Sequence, residues 1–256
     1  MKISTTLAIL PLATLGLACA DAPKFGPQAL KAFHTTILRS SGNQAIDPSI
    51  VRSDNKLVTE YGAVLNAARW PQPTIPVCWE NRGAAKPEEI DWVRDSIAKT
   101  WEKESGLAFT NWGDCGAGEF AGIRILISDE GPHTEGLGRF LRGRKHGMIL
   151  NFAFRNWSPS CQLADKHENC VRSIAVHEFG HAVGFTHEQN RADAPGECRG
   201  KEQGTPPDRM LTPYDPDSVM NYCNKKWNND GFLSKLDIEA VRTIYGPPTG
   251  GAGHAL

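Results

Sequence analysis

The chain has 256 residues, with 28 Lys and Arg against 29 Asp and Glu and a formal net charge of −1. That balance gives nucleic acid no electrostatic footprint to bind, and the length suits one or two domains. No internal repeat is present, which sets solenoid and array architectures aside.

Lys2 precedes an apolar run from Ile3 to Ala18, interrupted by Pro11, and Ala18-Cys19-Ala20 is a small-x-small cleavage pattern. Residues 1–20 are therefore read as a secretory signal peptide, too short for a membrane span. Gly16 stands where a lipoprotein signal would want leucine, so Cys19 is not taken as a lipid anchor. No other segment is long and apolar enough to cross a bilayer. The expectation is a secreted, extracellular, monomeric product with no membrane partner.

Of the seven cysteines, removal of Cys19 leaves Cys78, Cys115, Cys161, Cys170, Cys198 and Cys223. An even number in an exported chain points to disulfides, with about 15 connectivities open for six cysteines. Cys161 and Cys170 enclose a short polar segment and are the first candidate pair. Cys198 and Cys223 are the second, which leaves Cys78 with Cys115 by elimination. No C-x-x-C spacing supports a thiolate zinc site.

Residues 21–65 are polar with weak periodicity and read as a leader or prosegment. From Trp70 the pattern changes. Pro71, Pro73 and Pro76 punctuate a short strand around residues 75–79. Pro87 opens a helix with Ile90, Val93, Ile97 and Trp101 on one stripe, a core face, and Gly106 closes it. Residues 107–110 begin the next strand. Ile123–Ile127, mostly apolar, reads as a central strand. A basic run follows, Arg139, Arg142, Arg144, Lys145 and His146, which reads as a solvated loop with a weak case for acidic substrates. Residues 147–152 are one more strand.

Residues 177–188 read HEFGHAVGFTHE, with three histidines at intervals of four and six. On a helix a spacing of four rotates the side chain by only about 40°, so His177 and His181 share a face one turn apart. Glu178 lies about 100° round, off the ligand set but within reach of a water on the metal. Gly184 can adopt positive φ and end the helix, so that the returning chain delivers His187. Three neutral ligands leave a fourth position open, the mark of a catalytic rather than a structural zinc site.

The extended pattern resembles the metzincin metalloproteases, and Ser218-Val219-Met220-Asn221-Tyr222 fits their methionine turn. Glu188 followed by Gln189-Asn190-Arg191, and the tyrosine two places after the methionine, is similar to the astacin family. The resemblance covers roughly residues 66–247. It implies an α+β metzincin-type fold: a twisted mixed sheet, two long helices above the cleft, and a mostly irregular lower half ending in a C-terminal helix. Residues 234–246 fit that helix, with Ser234 as N-cap, Asp237 at the third position and Gly246 as the stop. Residues 248–256 read as a flexible tail.

The resemblance further implies that residues 147–152 are the antiparallel edge strand where an extended peptide adds. It implies a secreted zinc endopeptidase acting on protein or peptide substrates. One catalytic Zn2+ sits on His177, His181 and His187, Glu178 is the base for a zinc-bound water, and Tyr222 is a catalytic group for the oxyanion. Met220 would floor the metal. An inactive adhesion module is disfavoured by the intact Glu178, and the serralysin alternative by the lack of glycine-rich calcium repeats. No cysteine lies between 21 and 77, so a leader that blocks zinc would have to use a carboxylate, Asp47 or Asp54. By the same resemblance a freed amino terminus near Tyr61, made by a cut between about Lys56 and Ala67, would pair with Glu188; the alternative is that residues 21–60 stay attached and Glu188 takes another partner.

Overall fold

The structure is a computed structural model that describes residues 63–199 and 201–249. The segment read as a signal peptide, nearly all of the expected leader and the last residues of the expected tail lie outside the described residues. The description below concerns one compact unit, which lies within Leu57–Leu256.

Five strands form one sheet in the order β2-β1-β3-β5-β4. They are β1 Thr74–Trp79, β2 Ala108–Asp114, β3 Ile123–Ile127, β4 His133–Thr134 and β5 Met148–Leu150. β1 pairs in parallel with β2 and β3, and β3 in parallel with β5. β3 is thus the central strand, as its apolar run predicts. β4 runs antiparallel to β5 and forms the edge.

That last pairing corrects one expectation from sequence. Residues 147–152 contain β5, which is neither antiparallel to the sheet's main body nor at its edge. The antiparallel edge is His133–Thr134. A two-residue strand with no apolar alternation leaves no periodic signal, whereas the apolar run of β5 beside it does.

Helix α1, Pro87–Ile97, begins with Pro87 at its first position, where the missing N–H costs nothing. Glu89 folds back to accept the Lys86 N–H at 2.8 Å. The helix continues through a wider π turn, Ala98–Glu102. That turn carries Trp101, whose indole N–H donates to the Val176 carbonyl at 2.9 Å. Gly106 closes this segment for a reason of space: a Cβ there would lie 2.4 Å from the Tyr245 carbonyl oxygen. Ile90, Val93, Ile97 and Trp101 are all buried, so the predicted stripe is core.

Helix α2, Ala164–Ala182, packs against α1. Its Phe179 meets Phe109 edge-on at 5.0 Å and stacks with Trp112 at 5.6 Å, clamping the helix to β2. At the other end His167 bonds to Glu89 of α1 at 2.7 Å. Helix α3, Lys235–Tyr245, is capped by Ser234, which accepts the Asp237 N–H. Its Tyr245 hydroxyl donates to the Val183 carbonyl at 2.8 Å, so the last helix is tied to the end of α2. Disulfides join Cys78 to Cys115, Cys161 to Cys170 and Cys198 to Cys223. All three pairings match the expectation from sequence. No helix among the described residues is long and apolar enough to cross a membrane.

Candidate metal centre

α2 carries His177 and His181 on one face in its last turns, where nearly every side chain is buried. Helix hydrogen bonds stop at Val183, and Gly184 takes φ +103°, a conformation that L side chains rarely adopt. The chain reverses there: Phe185 N–H returns to the Gly180 carbonyl at 3.0 Å, and His187 swings back over the helix.

The three rings converge. Nε2 of His187 lies 3.2 Å from Nε2 of His177 and 3.1 Å from Nε2 of His181. Each Nδ1 faces a backbone carbonyl: Val219 at 2.8 Å for His177, Phe185 at 2.9 Å for His181, and Gln203 at 3.0 Å for His187. A carbonyl can only accept, so each Nδ1 carries the hydrogen and each Nε2 presents a lone pair. Three lone pairs facing one another in a buried site repel unless a cation lies among them, and three imidazoles suit zinc. The arrangement fits that metal.

The electrostatics agree. Burial, with the neighbouring His187, pulls His177 down to about 3. Burial and the two companion rings hold His181 well below its ordinary value, and burial lowers His187. The rings are therefore neutral at pH 7, the form that binds metal. Glu178 is buried beside them and pushed up to about 8 by that burial. Its Oε2 has no hydrogen-bond partner.

The floor and wall come from the turn at 218–222. Met220 is buried, and its Sδ packs so tightly under α2 that a Cβ on Gly180 would sit 2.3 Å from it. Tyr222 stacks almost parallel to His177, 14° and 5.3 Å apart, and lies 4.4 Å from the His187 ring. Its hydroxyl is pushed above the usual tyrosine range by burial and by Glu178. The five residues given ligand or catalytic roles from sequence, His177, His181, His187, Glu178 and Tyr222, are thus brought to one place, with Met220 beneath them.

Glu188 is singled out by sequence, but its contacts and several supporting groups are not. Glu188 N–H donates to the Met220 carbonyl at 2.9 Å, and its Oε1 accepts the Asp215 N–H at 2.9 Å. Its cation is Arg191, at 3.3 Å and wholly buried, which also forks onto Asp193 through two 2.7 Å bonds. Burial pushes Glu188 up to about 8 despite Arg191. The amino terminus expected there lies outside the described residues. Residues 63–66, mostly assigned to the leader from sequence, are threaded between two loops. Thr186 N–H donates to Ala63 O, Leu65 N–H to Gly184 O, and Val64 N–H to Arg209 O. Val219 O, Phe185 O and Gln203 O carry no side-chain signature at all.

The sequence comparison with protein families then bears on the same helix. Residues 162–197 match the model of the peptidase family described as Astacin. Over these residues the chain is similar to the astacin peptidases. The match covers the whole of α2 with His177 and His181, the Gly184 turn and His187, and runs on to Glu197. No curated protein matches. Among solved structures, one of myroilysin aligns at 19% identity over 72% of this chain and 98% of that one, with a TM-score of 0.49. High choriolytic enzyme 1, a hatching enzyme zinc-protease from Oryzias latipes (medaka fish), aligns at 16% identity over 76% and 98%, with a TM-score of 0.46.

Proposed function

We propose that this astacin-like metallopeptidase is a secreted, monomeric zinc endopeptidase whose catalytic domain spans residues 66–247. The observation that carries the reading is the set of three Nε2 lone pairs held inward by backbone carbonyls, beside a buried carboxylate oxygen with no partner. His177, His181 and His187 are the ligands of one zinc ion. Zinc bound there supplies a Lewis acid that acidifies water and polarises a carbonyl oxygen.

The chain's own groups do the rest. Glu178 takes a proton from the attacking water as its oxygen bonds to the scissile carbonyl carbon. It passes the proton to the amide nitrogen as the C–N bond breaks. Proton transfer by a carboxylate placed in this way is worth about 10²- to 10⁴-fold in rate. The Tyr222 hydroxyl donates to the oxyanion that forms on the carbonyl oxygen. The free edge of β4 is where an extended peptide adds as a further strand.

Casein hydrolysis by the purified chain, abolished by 1,10-phenanthroline and restored by zinc, is the expected result. Hydrolysis that persists in excess chelator would refute it.

A further inference from the structure

Asp237 lies at the third position of α3, buried, where a helix-capping role accounts for only part of its bonding. One of its oxygens accepts the Ser234 N–H at 2.9 Å, the ordinary reciprocal cap. The same oxygen accepts the Val219 N–H at 2.9 Å, and the other accepts the Ser218 hydroxyl at 2.7 Å. Neither of those bonds serves the helix. Both grip the turn under the histidines, and the Ser218 oxygen in turn accepts the Met220 N–H at 3.0 Å.

Val219 is wholly buried, and its carbonyl receives the His177 Nδ1–H. We propose that Asp237 is a positioning residue for the metal centre: it fixes the Val219 residue whose carbonyl orients the His177 imidazole. The proposal rests on the zinc reading above. Residues 237 and 177 are far apart in sequence, and only Val219 separates the carboxylate from the ring's hydrogen-bond acceptor. Burial pushes Asp237 up to about 6, and its three donors oppose that, so the carboxylate is ionised at neutral pH and accepts from all of them.

Groups that hold a ligating histidine from behind typically carry about 10- to 100-fold of metal affinity. Asp237→Ala is accordingly expected to weaken zinc binding by about that factor, measured by competition with a chromophoric chelator, and to change the visible spectrum of the cobalt-loaded protein. Asp237→Asn keeps an oxygen for Val219 and Ser234 and should recover most of both. Val241→Ala is the comparator, because it loosens the packing of the same helix without touching Asp237's bonds. It should lower Tm while leaving zinc affinity within about twofold of wild type.

If Asp237→Ala does not fold, Asp237→Ser is the second variant: the Ser234 hydroxyl still caps the residue-237 N–H, a single short hydroxyl does not bridge Ser234, Val219 and Ser218 as the carboxylate does, and the same loss of affinity is expected. Unchanged zinc affinity in every folded Asp237 variant, with Tm falling as in Val241→Ala, would overturn the proposal and leave the zinc reading intact. Wild-type protein that binds no zinc would overturn both.

Discussion

Gly180 sits on α2 between Glu178 and His181, and its hydrogen is all that fits there. An ideal Cβ would lie 2.3 Å from Met220 Sδ and 3.1 Å from Trp101 Cζ2. Ordinary contacts between such atoms are about 3.5–4.0 Å, so the sulfur must move by more than an ångström in a site where Met220 is 1% exposed. Overpacking of this kind costs about 1–3 kcal/mol. Alanine returns about 1 kcal/mol of helix propensity over glycine. Gly180→Ala in the wild type is therefore expected to range from neutral to about 2 kcal/mol destabilising.

In a Met220→Ala background the sulfur is gone, and the same substitution should stabilise by up to about 1 kcal/mol. The double-mutant cycle, read by urea unfolding, is expected to show a coupling of about 1–3 kcal/mol between positions 180 and 220. Gly180→Ala should also lower kcat, since Met220 and Tyr222 share one turn. A coupling below about 0.5 kcal/mol, or a stabilised Gly180→Ala, would refute the claim that methionine and glycine are fitted to each other.

Tyr222→Phe should lower kcat more than it raises KM, because its hydroxyl acts on charge that develops only in the transition state; an effect on KM alone would contradict that role. Free zinc at about a hundredfold over Kd should stabilise the metal-free protein by about 2.7 kcal/mol, or roughly 5–10 °C in Tm, and His187→Ala should abolish the shift in a thermal scan. A chain beginning at Tyr61 keeps the pairing of residues 63–66 with Gly184, Thr186 and Arg209. One beginning at Ala67 loses it and should lose activity and Tm together, so amino-terminal sequencing of the active form should place any maturation cut before Ala63.

The parts that sequence makes legible share a physical origin in short-range pattern. The i, i+4 histidines, Gly184 and the apolar stripe from Ile90 to Trp101 are fixed by helical geometry within a few turns. The Ser234–Asp237 cap is a local box, visible as such. Its second task is invisible, because the Val219 and Ser218 bonds of Asp237 depend on how α3 lies beneath the turn. The same holds for the Val219, Phe185 and Gln203 carbonyls that set the histidine tautomers, since any residue type has a carbonyl. β4 escapes a reading by pattern because two residues cannot show alternation. The Glu188–Arg191 pair, three residues apart, is within reach of a local reading, but nothing in the spacing shows that both side chains are buried.

The central claim is that the histidines hold zinc while Glu178 moves the proton, and one variant separates the two roles. Glu178→Ala leaves all three Nε2 donors and their carbonyl partners in place. Metal analysis alongside peptide hydrolysis should find one zinc per chain with turnover reduced at least about 10²-fold, the lower end of general-base contributions. Stoichiometric zinc together with near wild-type turnover would contradict the account.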